Sequence, residues 1–117
     1  MRDHRSLLAW QEARWVTGAS IALCKKHWKP YGSAVFDQLQ RAAVSAQINI
    51  AEGYALAGLR RFHNHLVIAY GSAVEVGDLL TTGTEESLFP EEVSKPAIEH
   101  NRLAQALLPG LLKRYRS

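Results

Sequence analysis

Apolar residues recur at intervals of three and four along nearly the whole chain, the spacing of one face of an α-helix. From Ser6 to about His27 the stripe runs through Leu7, Trp10, Ala13, Thr17, Ile21 and Cys24 and predicts a first helix. Trp28-Lys29-Pro30-Tyr31-Gly32-Ser33 interrupts it, because proline has no amide donor and glycine tolerates backbone angles that other residues avoid. A second helix is predicted from Ser33 to about Ala57-Gly58. A third runs from Arg60 to Leu80 through Phe62, Leu66, Ala69, Ala73 and Val76, and Thr81-Thr82-Gly83-Thr84 reads as a connection. The last segment offers Pro90 and Pro96 as helix starts, and its apolar face passes through Ala97, Ala104, Leu108, Leu111, Leu112 and Tyr115. Pro109 lies inside it and predicts a kink or break around Gln105, where the proline ring meets the carbonyl four residues back. No stretch alternates as a half-buried strand does. Four helices with short connections predict an all-α fold, an antiparallel up-and-down four-helix bundle.

The second helix carries more apolar surface than a monomer needs. Leu39, Ala42, Ala43, Ala46, Ile50, Gly53 and Tyr54 share one broad face, and Val44, Ile48, Ala51 and Ala55 form another on the far side. One apolar face suffices for a surface helix of a bundle, so the second predicts an interface with a further copy and hence a homo-oligomer. Between the two faces runs a polar stripe of Gln38, Arg41, Ser45, Asn49 and Glu52. Charged groups at a partly buried site must be paired, so Arg41, Ser45, Asn49 and Glu52 are read as a structural network, with Glu75 of the third helix a partner for Arg41. Glu52 could instead serve as a base, but no cysteine or histidine stands within a helical turn of it.

Length sets the scale of the fold: 117 residues and 13.0 kDa hold one domain, residues 1–117. The one cysteine, Cys24, can form neither an intrachain disulfide nor a multi-cysteine metal site, which fits a reducing compartment and a cytoplasmic location. No apolar run approaches the roughly 20 residues that cross a bilayer, and the run after the charged start is too short for a signal peptide. The net charge of +3 is unevenly spread. Thr84 to Glu99 carries five glutamates against Lys95, a local balance of −4, which leaves +7 on the rest. Basic residues cluster at Lys25-Lys26 with Lys29, at Arg60-Arg61, and at Lys113-Arg114 with Arg116. Such clusters could meet phosphate backbones or acidic proteins, or they could be solvated helix ends that complement the macrodipole.

Candidate chemistry is sparse. His63 and His65 are two apart, which on a helix points them about 200° from each other and excludes shared chelation of a metal. His100 is isolated in sequence, and only a site composed between subunits could recruit it. Trp10, Trp15 and Trp28 could stack nucleobases, although Trp10 falls on the inner face. Gly58 and Gly71-Ser72 match no phosphate-binding loop. No nucleophile and base pair, metal set or cofactor motif is visible, so no enzyme, no catalytic residue, no cofactor and no metal are expected.

Gln38-Leu39-Gln40-Arg41-Ala42-Ala43-Val44-Ser45, followed by Asn49-Ile50-Ala51-Glu52-Gly53-Tyr54, resembles the signature of a four-helix-bundle family that includes proteins encoded in intervening sequences of bacterial 23S ribosomal RNA genes. Leu7-Leu8-Ala9-Trp10-Gln11-Glu12-Ala13 is similar to the family's opening, Ala69-Tyr70-Gly71-Ser72 with Glu75 to its third helix, and Leu107-Leu108-Pro109-Gly110-Leu111 to its last. The resemblance covers nearly the whole chain. It implies an antiparallel bundle that assembles as a homopentamer, and a relation to the accessory variability protein of diversity-generating retroelements, a basic pentamer that binds nucleic acid and a reverse transcriptase. Two departures stand out. Gln47 occupies the place of a proline usual between Ser45 and Asn49, and Ala55-Leu56-Ala57-Gly58 replaces a basic run.

Two functions of different class follow. One is a non-catalytic oligomer that binds structured RNA or DNA through symmetry-repeated basic patches, with Arg60, Arg61, Lys113, Arg114 and Arg116 as contacts. The other is a protein-interaction scaffold or adaptor with no nucleic-acid role, in which basic and acidic segments meet charged partners.

Overall fold

The computed structural model describes residues 3–55 and 59–115, and among them there are four long helices and no strand. Asp3 caps a 3-10 turn, His4–Ser6, by accepting from the Arg5 amide, and α1 follows over Leu8–His27. A second 3-10 turn, Pro30–Gly32, leads directly into α2, Ser33–Ala55. Helix α3 spans Leu59–Glu85 and α4 spans Glu91–Tyr115. The predicted end of α2 at Ala57-Gly58 lies outside the described residues, as does the side chain of Tyr115.

Two predicted boundaries are corrected. Helix α3 continues through Thr81-Thr82-Gly83-Thr84 and stops only where Ser87 adopts a left-handed φ of 58°. The Leu88 amide donates to Gly83 O at 2.8 Å and the Ser87 amide to Thr84 O at 3.1 Å, the two reverse bonds that close a helix C-terminus before a buried apolar residue. That residue is Leu88, which with Phe89 plugs the end of the core. Glycine is required at position 83 because a Cβ there would overlap the Phe89 ring. Helix α4, in turn, runs unbroken through Pro96 and Pro109, with no interruption at Gln105. The Gln105 side chain turns to α3, where its amide donates to Ala73 O at 3.3 Å.

Each helix packs on its neighbours in sequence, and α1 also packs on α4. The contacts are ordered. Thr17 of α1 donates to Ala43 O of α2 and Cys24 to Phe36 O, while Ser45 and Asn49 of α2 meet Ser72 and His65 of α3. Further along α3, Ala73 O accepts from Asn101 of α4 and Thr84 meets Ser94. The core divides into two layers. One holds Phe36, Leu39, Leu80, Leu88 and Phe89; the other holds Ala9, Ala13, Ile50, Phe62, Leu66 and Leu108. The result is a rod with extents of 43 × 20 × 20 Å, long enough for its two ends to carry different chemistry.

Candidate nucleic-acid interface

The second core layer draws together the start of α1, the end of α2, the start of α3 and the end of α4. Those four helix ends therefore share one end of the rod. Arg5, Arg61, Lys113 and Arg114, all exposed, stand at that end. Arg116 and the side chain of Arg60 lie outside the described residues. Asp3 is tied to Arg5 at 3.0 Å, and the bond from the Arg5 amide, with its guanidinium, holds the carboxyl below its usual range. The opposite end is mixed, with Lys25, Lys26 and Lys29 of the α1 end near Glu85, Glu86, Glu91 and Glu92. Lys29 is committed to structure there, donating to His27 O and Leu88 O at 3.0 and 2.8 Å.

Helix polarity separates these clusters. Lys25, Lys26 and His27 sit in the last turn of α1, and Lys113 and Arg114 in the last turn of α4, where cations complement the macrodipole. Arg60 and Arg61 occupy the first turn of α3, where the dipole disfavours a cation. Among the described residues Arg61 is in no ion pair; those formed are Arg5–Asp3 and His100–Glu12.

The polar stripe of α2 splits in two. Ser45 and Asn49 face α3: the Ser45 and Ser72 hydroxyls share a bond of 2.8 Å, and Asn49 Nδ2 donates to Ser45 O at 2.9 Å. Asn49 Oδ1 accepts from His65 Nδ1 at 2.9 Å. Ser72 and His65 complete this network; the sequence offers them only as part of a glycine-serine pair and a histidine pair, although their spacing of seven puts both on one face of α3. Arg41 and Glu52 point outward and are exposed. The expected Arg41–Glu75 pair is not formed, because Glu75 accepts from Gln38 Nε2 at 2.5 Å instead. Beside the network, a Cβ on Gly53 would lie 2.5 Å from His65 Cβ and 2.9 Å from Phe62 Cδ1, so glycine lets α2 and α3 approach.

The outer side of α2 is exposed at Val44 and Ile48, with Ala51 and Ala55 half-buried. The same exposure continues on α3 at Val67, Ile68 and Val74, between 46 and 51% accessible. Elsewhere, His100 meets Glu12 at 2.5 Å and stacks on Trp15 with ring centres 3.8 Å apart, linking α4 to α1. Trp10 packs against the second core layer and Trp28 against Phe36. Cys24 is buried, and burial, helped by Asp37, pushes its thiol up to about 11. Among the described residues no histidine, cysteine and carboxylate cluster could hold a metal ion, and no helix is long and apolar enough to cross a membrane.

Compared with known families, residues 5–110 match the one described as 23S rRNA-intervening sequence protein. A comparison with curated proteins gives no match.

Proposed function

The chain therefore belongs to the 23S rRNA-intervening sequence protein family, and on that premise we propose that it is a non-catalytic homo-oligomer of antiparallel four-helix bundles that binds structured RNA at the basic end of each copy. The pentameric number is the one the family resemblance implies. The order of the inter-helix bonds supports the antiparallel course, since later residues of one helix meet earlier residues of the next. The exposed apolar face of α2 and α3 supports assembly, because a contiguous patch of this kind on a soluble chain marks an interface. A reducing cytoplasm suits the buried thiol of Cys24.

The observation that carries RNA binding is Arg61 with Arg60 in the first turn of α3, beside Lys113 and Arg114. Helix electrostatics does not explain these arginines, whereas a phosphate backbone would. Repetition by symmetry turns a weak contact per copy into avidity. The direct test is binding of a labelled structured RNA to the wild type, to Arg60→Ala/Arg61→Ala, to Lys113→Ala/Arg114→Ala and to Lys26→Ala. The first two pairs weaken binding and lower the slope of log K against log salt by about 2 per engaged copy, at ~0.9 per phosphate contact. Lys26→Ala, at the mixed end, leaves binding unchanged. Equal loss in all three removes the basic end as the site, and a wild type without binding at low salt makes the protein-scaffold reading the better one.

A further inference from the structure

Helices α1 and α3 both pack against α2 and α4, so they stand at opposite corners of the bundle. Their outward faces differ in shape. On α1, Gly18 floors an open trough of about 580 Å³ between the side chains of Trp10 and Trp15, with Arg14 along it. On α3, Val67, Gly71, Val74 and Asp78 fall at helical spacings of three and four and form a ridge. Val67 and Val74 are about half exposed, and the space over Gly71 is open.

The two faces also match in height. The Thr17–Ala43 and Ser45–Ser72 bonds place Gly18 of α1 within about one helical turn of Val74 of α3 along the rod. The Cys24–Phe36 and Gln38–Glu75 bonds do the same for Lys25 and Asp78. Charge agrees with shape. The trough side offers Arg14 and Lys25, the ridge side offers Asp78, and none of the three is in an ion pair among the described residues.

We propose that the α1 trough of one copy receives the α3 ridge of the next, apolar ridge over Gly18 and Lys25 beside Asp78. This rests on the homo-oligomer reading above and gives the α3 part of its exposed face a counterpart on α1. Unlike faces on opposite sides of a protomer join head to tail, and a head-to-tail contact makes either a closed ring or a filament. Because the matching residues lie within about one helical turn of each other along the rod, successive copies stand side by side with little shift along it. The i, i+4, i+7 spacing of the ridge is that of a coiled-coil seam, and Gly18 and Gly71 let the two helices approach.

The test is the mass in solution of the wild type and of a set of variants by light scattering. Gly18→Phe fills the trough, and within its own copy a Cβ at Gly18 meets only the end of the Arg14 side chain, at 3.1 Å, so the bundle itself is spared. Gly18→Phe and Val74→Asp each give monomers with unchanged circular dichroism. Lys25→Glu and Asp78→Lys each raise the dissociation concentration about twofold to fivefold, the scale of a partly exposed ion pair, and the two combined restore it. In Gly18→Cys/Val74→Cys, a short bismaleimide yields a ladder of products beyond the dimer. A wild type that is monomeric at micromolar concentration overturns the homo-oligomer reading and this inference with it. An oligomer indifferent to Gly18→Phe, or a ladder that ends at the dimer, overturns this inference alone.

Discussion

Gly53→Ala isolates the close approach of α2 and α3. The added Cβ would lie 2.5 Å from His65 Cβ and 2.9 Å from Phe62 Cδ1, inside van der Waals contact with carbons held near the α3 backbone. Neither neighbour can swing aside as the end of a flexible side chain would, so the helices must part. Overpacking of this kind costs about 1 to 3 kcal/mol, and two short contacts place Gly53→Ala in the upper half of that range. Against it, alanine gains about 1 kcal/mol over glycine in a helix interior. The net is a loss of roughly 1 to 2 kcal/mol, which for a domain of this size lowers the melting temperature by about 4 to 10 °C. Gly110→Ala is the control, since nothing lies within 4 Å of a Cβ there and the helix gain acts alone. Thermal melts followed by circular dichroism, at one protein concentration because assembly would shift both states, read the two together. A Gly53→Ala protein as stable as Gly110→Ala refutes the close-approach reasoning.

Arg41→Ala should shift stability by about 1 kcal/mol or less, because Arg41 is exposed and in no ion pair among the described residues; a melting temperature more than ~8 °C lower would reveal a partner. Ile48→Asp should dissociate the oligomer while leaving the helical content of each bundle, since the Asn49–His65 bond places Ile48 at the height of the α3 ridge; an unchanged oligomer mass would put Ile48 outside the interface. Cys24 should resist alkylation at pH 8 in the folded protein and react on unfolding. With the folded thiol at about 11 against 9.0 for the free group, the folded state keeps a proton that the unfolded state loses. Its stabilising contribution is therefore complete below pH 9 and falls as pH rises toward 11. Denaturant melts of the wild type and Cys24→Ala should converge over that range, and parallel curves would contradict it.

The helices were legible because one apolar stripe per helix dominates each segment, from Leu7 and Trp10 through Leu66 and Ala73 to Leu108. The stop of α3 was not, because the left-handed position is filled by Ser87 and not by the glycine that usually marks it, while Gly83 serves packing against Phe89. Pro109 leaves α4 unbroken for a related reason: it removes one amide near the end of the helix, too little to break one held by Ala104 and Leu108 in the core. In the polar stripe, face assignment on α2 alone identified Ser45 and Asn49 but could not distinguish their side from that of Arg41. Only the pairing with α3 shows that His65 and Ser72 take the first two and that Gln38 takes Glu75. The basic end joins residues more than fifty positions apart, Arg61 and Lys113, which clustering along the sequence could suggest only as separate groups.

The proposed RNA contact at the basic end is electrostatic. It is tested most directly by titrating a labelled structured RNA with the wild-type protein across a series of salt concentrations. The expected result is binding at about 50 mM salt that falls by orders of magnitude toward about 200 mM, as release of counterions by several phosphate contacts requires. Absence of binding at the lowest salt, or affinity that does not change with salt, would contradict it.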